Sequence, residues 1–272
     1  MTAQEINDTD ALAFALSQEE LYVLLLYLKT PAPIELENFE AQVLESIPAD
    51  YRNGCLQIVE RSLTARQYLV PTPEQKLEPN PAVAQVIMAC TQPEHSWIVM
   101  HRTRDQEGQA YFFHQQGELF VSHSLPLPLL HEFFVFPSHQ PLQQNLLALI
   151  PADGLQATNC EGGVISQNTF QSITASGLAG KNDITQALTA EGLASATAEL
   201  LTASLVNYRT LTLITRLIHP SPGAAAQPES GATIITAAQT LWVLEAQPPD
   251  KLSVRSTSPA ELETLLSQLL TV

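Results

Sequence analysis

Between residues 96 and 137 the chain carries four short runs rich in aromatic and β-branched residues, separated by turn residues. The pattern predicts an antiparallel meander with strands near 97–102, 111–114, 119–124 and 131–136. In the first strand Trp97, Val99 and His101 alternate with Ile98, Met100 and Arg102. Both sets contain large apolar residues, so one face is expected to meet helices and the other to be partly covered. A charged hairpin tip at 103–108 follows, then a turn at 115–118. Pro126 and Pro128 limit further ladder bonding. A weaker copy starts at Tyr208, where residues 210–217 alternate with period two. After a loop at 219–231, residues 232–237 and 240–245 are expected to pair around Ala238-Gln239. Pro248-Pro249-Asp250 then turns the chain into a strand at 251–255.

Helical spacing occupies most of the rest. Residues 1–15 are polar and acidic and read as partly disordered. Ser17-Gln-Glu-Glu20 forms a capping box for a helix at 18–28, which Pro31 and Pro33 end. Helices are expected at 35–46 and 51–68, then a proline-rich linker at 70–78. Together these resemble a winged helix or a similar small bundle. A helix at 81–91 places Val83, Val86, Ile87 and Cys90 on one face, and one at 141–150 aligns Leu142, Leu146 and Leu149. Residues 151–155 mark the boundary between halves. Beyond it, 155–182 is weakly patterned, with a helix near 167–176, and a tract of small residues from 183 or 185 to 206 reads as helical. Ser258-Pro-Ala-Glu261 is a second capping box, with Pro at the first helical position. It opens a last helix to 270 that buries Leu262, Leu265, Leu266 and Leu269. The two halves share an order of elements, and each has a long strand that ends in arginine (Arg102, Arg216). The expected fold class is α+β: a central antiparallel β-sheet built from two quasi-symmetric halves, 1–150 and 151–272, flanked by helical bundles within one compact unit.

Composition narrows the function. Of 272 residues 45% are hydrophobic, which suits a chain with a substantial core. Only 15% are charged and the formal net charge is −16, so binding to a phosphate backbone or to anionic lipid is disfavoured. No basic segment precedes an apolar one at the start, and the longest apolar runs (21–28, 125–130) are far shorter than the roughly 20 residues of a membrane span. The expected location is the cytoplasm. Cys55, Cys90 and Cys160 are widely spaced and read as free thiols.

Candidate chemistry is thin. Six of the seven histidines lie between His95 and His139, and His101, His114 and His123 fall on successive strands, where they could converge on a metal. No short-spaced ligand pair accompanies them, and no Asp or Glu recurs at matched positions. Strand histidines on a partly solvated face are the simpler reading, and no metal site is expected. Gly177-Leu-Ala-Gly-Lys181 fails the phosphate-loop pattern, because Ala175 and Asn182 stand at required positions. No nucleophile elbow is present. The chain therefore reads as non-enzymatic, with no catalytic residues and no cofactor. In the helix at 51–68, Arg52, Arg61 and Arg66 are countered by Glu60 within an acidic region, which argues for protein contact rather than nucleic-acid reading.

Three stretches carry a family resemblance: Leu-Ser-Gln-Glu-Glu-Leu-Tyr-Val-Leu-Leu-Leu-Tyr-Leu (16–28), Glu-Arg-Ser-Leu-Thr-Ala-Arg-Gln-Tyr-Leu (60–69) and Glu-Pro-Asn-Pro-Ala-Val-Ala-Gln-Val-Ile (78–87). The closing segment 252–270 matches in style. With these the chain resembles the EspG-type family, the ESX (type VII) secretion-associated chaperones. The resemblance implies a cytoplasmic, non-enzymatic adaptor that holds a helical secretion substrate soluble, a secreted heterodimer being one form of client. From the net charge of −16 and the short apolar runs, no nucleic-acid partner and no membrane insertion are expected. Family contacts involve the central sheet, its hairpin loop and the C-terminal bundle. The matching hairpin here is Arg102, Thr103, Arg104, Asp105, Gln106, Glu107 and Gly108, and the bundle draws on 183–206. Two other readings stand beside it: a winged-helix regulatory or nucleic-acid-associated protein, and a metal-dependent enzyme using the strand histidines.

Overall fold

The computed structural model describes residues 12–106, 108–127, 129–175, 180–221 and 224–271. The first strand, β1 (Ala13–Ser17), lies where the sequence gives only a polar tail. Its alternation buries Phe14 and Leu16, and it pairs antiparallel with β7, over a hundred residues downstream. Ser17 closes the strand and caps α1 (Gln18–Leu28). Its Oγ accepts the Glu20 N–H at 3.2 Å, and Glu20 Oε2 accepts the Ser17 N–H at 3.1 Å.

Next come α2 (Phe39–Ser46), a 3-10 turn, and α3 (Arg52–Ala65). The sequence expectation ran α3 on to residue 68. It stops earlier because Gln67 adopts φ 60°, while Tyr68 donates back to Leu63 O at 2.8 Å and Gln67 to Thr64 O at 3.0 Å. The segment read as a linker is instead a two-stranded hairpin, β2 (Leu69–Pro71) with β3 (Leu77–Pro79). α4 (Pro81–Thr91) follows, capped by Asn80, and buries Val83, Val86, Ile87 and Cys90 as its spacing predicted.

The first meander is β4 (His95–Thr103), β5 (Gln109–Gln116), β6 (Leu119–Leu127) and β7 (Leu130–Phe136), followed by α5 (His139–Leu149). A second short strand, β8 (Gly163–Ser166), precedes α6 (Gln167–Ala175), α7 (Lys181–Ala190) and α8 (Ser195–Val206). The expected single tract to 206 is two helices, because Gly192 at φ 102° ends α7 in a Schellman motif. Leu193 donates to Leu188 O and Gly192 to Thr189 O, and both leucines are buried. The second meander is β9 (Thr210–Ile218), β10 (Gln227–Thr236), β11 (Leu241–Gln247) and β12 (Lys251–Ser256). The chain closes with α9 (Pro259–Leu270), whose capping box at Ser258 and Glu261 forms as expected.

The ten strands of the meanders, β1 and β8 form one antiparallel sheet in the order β1-β7-β6-β5-β4-β9-β10-β11-β12-β8. The α+β class and the antiparallel sheet thus stand. The order of elements recurs: a short strand, helices, a four-stranded meander and a helix. In each round the short strand returns to pair with the last strand of its own meander, β1 with β7 and β8 with β12.

Two compact units are distinguished by their contacts. The first comprises the described residues up to Ser96, with 112–138 and 219–226. Its core joins α1–α4 to Phe14, Leu16, Val121 and Phe133 of the strands. The second comprises 97–111, 139–218 and the described residues from Gln227. Its core joins α6–α8 to Ile165, Ile235, Trp242, Leu244, Leu252 and Val254. No helix among the described residues is long and apolar enough to cross a membrane.

Candidate functional site

Strand alternation in the second unit creates a groove on one face of the sheet. On β4, Trp97, Val99 and His101 are buried, and the Trp97 indole donates to Leu269 O of α9 at 2.9 Å. Met100 and Arg102 point the other way. On β9, Thr212, Ile214 and Arg216 are buried, while Leu211, Leu213 and Thr215 line the open side. Together with β10 these residues floor a groove of about 1040 Å³. One wall is α6, through Phe170 and Thr174, and another is the Pro248-Pro249-Asp250 turn. The two walls are tied together, because Gln167 at the start of α6 donates to Asp250 O at 2.9 Å. Gly231 also lines the groove. A Cβ there would meet Ile214 O at 2.9 Å, so only glycine lets β10 approach β9 this closely.

The groove is apolar where it is open. Met100 is 44% exposed and Leu213 38%, although both are strand residues in a large sheet. Arg102 stands at the rim with its guanidinium 5.3 Å from the Tyr208 ring centroid, a cation–π distance. Arg216 pairs with Glu229 at 2.8 Å beside the groove.

The hairpin singled out in the sequence is the β4–β5 connection. Arg102 and Gly108 line the groove itself. Thr103 is half-buried at the strand end, and Arg104, Asp105 and Gln106 are exposed in the turn. The Arg104 N–H donates to Arg209 O at 3.2 Å, which fixes where the turn departs. Glu107 lies outside the described residues, as do residues 177–179 of the glycine-rich stretch before α7. The groove-lining residues Met100, Leu211 and Leu213 had a legible signal in strict alternation. The sequence could not show that α6 leaves them open.

The histidines assemble differently from expectation, and in the first unit. His114 on β5, His123 on β6 and His131 on β7 are all buried, not partly solvated. Registers His114↔Val121 and His123↔Phe133 put the three on one diagonal of one sheet face. His101 does not join them; its Nδ1 lies 2.9 Å from Thr212 Oγ1. The missing acidic partner is Glu35, in the loop between α1 and α2. Its Oε1 lies 3.3 Å from His114 Nε2 and is hydrogen-bonded to His123 Nδ1. The chain of contacts continues outward on both sides. His114 Nδ1 meets Ser96 Oγ at 3.0 Å, Ser96 Oγ meets His219 Nε2 at 3.0 Å, and His123 Nε2 meets His131 Nδ1 at 2.9 Å. Burial opposes ionisation of Glu35, but the neighbouring His114 and His123 outweigh it and hold the carboxyl well below the usual range. Burial, with His123 beside it, pushes His131 down to about 4.

The arginines read from the sequence in this region, Arg52, Arg61 and Arg66, each make a bond within the chain, Arg61 Nε to Gln57 O at 3.2 Å. Arg66 Nη1 bonds Glu20 Oε2 at 2.6 Å, and Arg52 Nε donates to Leu44 O and Ile47 O.

The second unit thus carries a groove between a sheet face and α6, with residues of the β4–β5 hairpin in its lining. The sequence matches no protein-family model and no curated protein. Among solved structures, the chain resembles the Mycobacterium tuberculosis type VII secretion system chaperone EspG5, determined in complex with the PE25–PPE41 dimer. The TM-score is 0.60 at 13% identity, over 95% of this chain and 96% of that one. The fold is therefore EspG-like.

Proposed function

We propose that the chain is a cytoplasmic, non-enzymatic adaptor that binds a helical protein client and keeps it soluble. The client's apolar helical segment seats in the groove beside α6, and the hairpin Arg102–Gly108 touches its flank. The carrying observation is the likeness to a chaperone over nearly the full length of both chains. The groove supports the reading. An amphipathic helix offers an apolar stripe at i, i+3, i+4 and i+7, which suits an apolar floor walled on two sides. Exposed Met100 and Leu213 are the kind of surface that marks an interaction site.

The test is co-expression of the full chain with small helical proteins encoded beside its gene, followed by tag capture and size-exclusion chromatography. The expected result is a stoichiometric complex that Leu213→Asp abolishes and Arg104→Glu weakens by about tenfold. A chain that elutes alone from every such pairing refutes the reading. Salt-sensitive retention of duplex DNA by the full chain would favour the regulatory alternative.

A further inference from the structure

We propose that Glu35, His114 and His123 form a buried site for a divalent transition metal, with zinc as the natural occupant. One donor atom from each lies within 4.8 Å of the others. Zinc–nitrogen and zinc–oxygen bonds near 2.0–2.1 Å place tetrahedral donors about 3.3 Å apart. The His114 Nε2 to Glu35 Oε1 separation is 3.3 Å. Two imidazoles and one carboxylate are a borderline N/O set that zinc favours, whereas calcium and magnesium call for oxygen.

The outer contacts support the assignment. A metal-bound histidine ordinarily gives its other ring N–H to a second group. Ser96 Oγ can accept from His114 Nδ1 and donate its own proton to His219 Nε2, and His131 Nδ1 can accept from His123 Nε2. Of the two tautomer assignments these contacts allow, this one leaves lone pairs on His114 Nε2 and His123 Nδ1, as metal ligation requires. In the other, both ring nitrogens donate to Glu35, and a metal displaces those two protons on binding. Glu35 Oε2 adds an independent sign. It is a buried oxygen with no hydrogen-bond partner among the described residues, on a side chain only 1% exposed. A buried carboxylate oxygen is costly when unpaired, and a metal held by both oxygens of Glu35 satisfies it.

The position has a structural consequence. His114 and His123 belong to adjacent strands, and Glu35 to the loop that carries the chain from α1 into α2. A metal there staples the helical bundle of the first unit to its strands, 79 and 88 residues away along the chain.

The test uses the full chain, stripped with chelator and dialysed. Addition of Zn²⁺ alone is expected to leave one equivalent bound by elemental analysis, with a rise in thermal midpoint that EDTA reverses. Co²⁺ alone is expected to give the intense visible bands of a four-coordinate site. Glu35→Gln should weaken zinc binding at least about a hundredfold, and Ser96→Ala about tenfold. Wild-type chain that retains no zinc and shows only the pale spectrum of aqueous cobalt overturns the proposal. Undiminished binding in a folded Glu35→Gln variant overturns it equally. Should that variant not fold, the cobalt spectrum of the wild type decides alone.

Discussion

His101 Nδ1 on β4 and Thr212 Oγ1 on β9 lie 2.9 Å apart, and both residues are buried. Burial lowers the His101 imidazole below its ordinary value of 6.5, so the folded chain holds it neutral. The unfolded chain takes up a proton as pH falls through about 6.5, and the folded chain does so only lower down. Stability is thus unaffected above that range and declines with acidification below it. Urea denaturation at pH 7 and pH 5 should show a larger loss for wild type than for His101→Gln. Equal losses would mean that burial does not shift this histidine.

Glu20 is both a helix cap and a buried joint between α1 and α3. It accepts from Ser17 N, from Ser62 Oγ at 2.8 Å and from Arg66 Nη1 at 2.6 Å, with its side chain 10% exposed. Glu20→Ala should cost about 2–3 kcal/mol, more than a cap alone, because Ser17, Ser62 and Arg66 all lose a partner. Glu261 in the second capping box is exposed, and its bonds stay within Ser258 and Thr257. Glu261→Ala should cost clearly less. Chemical denaturation of the two variants side by side checks the ranking.

These two boxes were legible because their spacing is local, as were the amphipathic faces of α4 and α9 and the two meanders. β1 and β8 were not. Each is a short strand whose partner, β7 or β12, is remote in sequence, so its own few residues carry no sign of the pairing. Glu35 was missed for the same reason. A search for acidic residues beside the histidines is local, while Glu35 reaches His114 and His123 across 79 and 88 residues. His131 passed unnoticed because choosing the diagonal His114–His123–His131 over His101 requires strand registers, and registers depend on turn geometry. The groove was half visible: alternation put Leu211 and Leu213 on one face, but the packing of α6 decides what stays open.

Trp97 is fully buried and its indole donates to Leu269 O, so the end of α9 secures the start of β4. Trp97→Phe keeps most of the apolar volume and leaves that carbonyl unpaired; the expected cost is about 1–2 kcal/mol. Deletion of residues 259–272 removes five buried leucines as well. At about 2–5 kcal/mol for each buried leucine truncated, the loss exceeds the stability of an ordinary domain. The truncated chain should fail to give a cooperative transition, with tryptophan emission shifted to longer wavelength.

Leu213 and Phe170 face the same groove but differ in what holds them. Leu213 is 38% exposed on the floor, whereas Phe170 is buried at 8% and packs into the core beneath α6–α8. Leu213→Asp removes the covered part of a side chain that is 38% exposed and sets a charge on an apolar floor, so it should cost about 1–2 kcal/mol. Phe170→Ala opens a cavity and should cost about 3–5 kcal/mol. A solvatochromic apolar dye separates the two effects. Its binding should fall in Leu213→Asp with only a modest drop in the unfolding midpoint, because the floor of the site has become charged. In Phe170→Ala the midpoint should fall first, and dye binding should rise as α6 loosens from the sheet. A Leu213→Asp variant that unfolds like Phe170→Ala would place Leu213 in the core and close the groove as a docking surface.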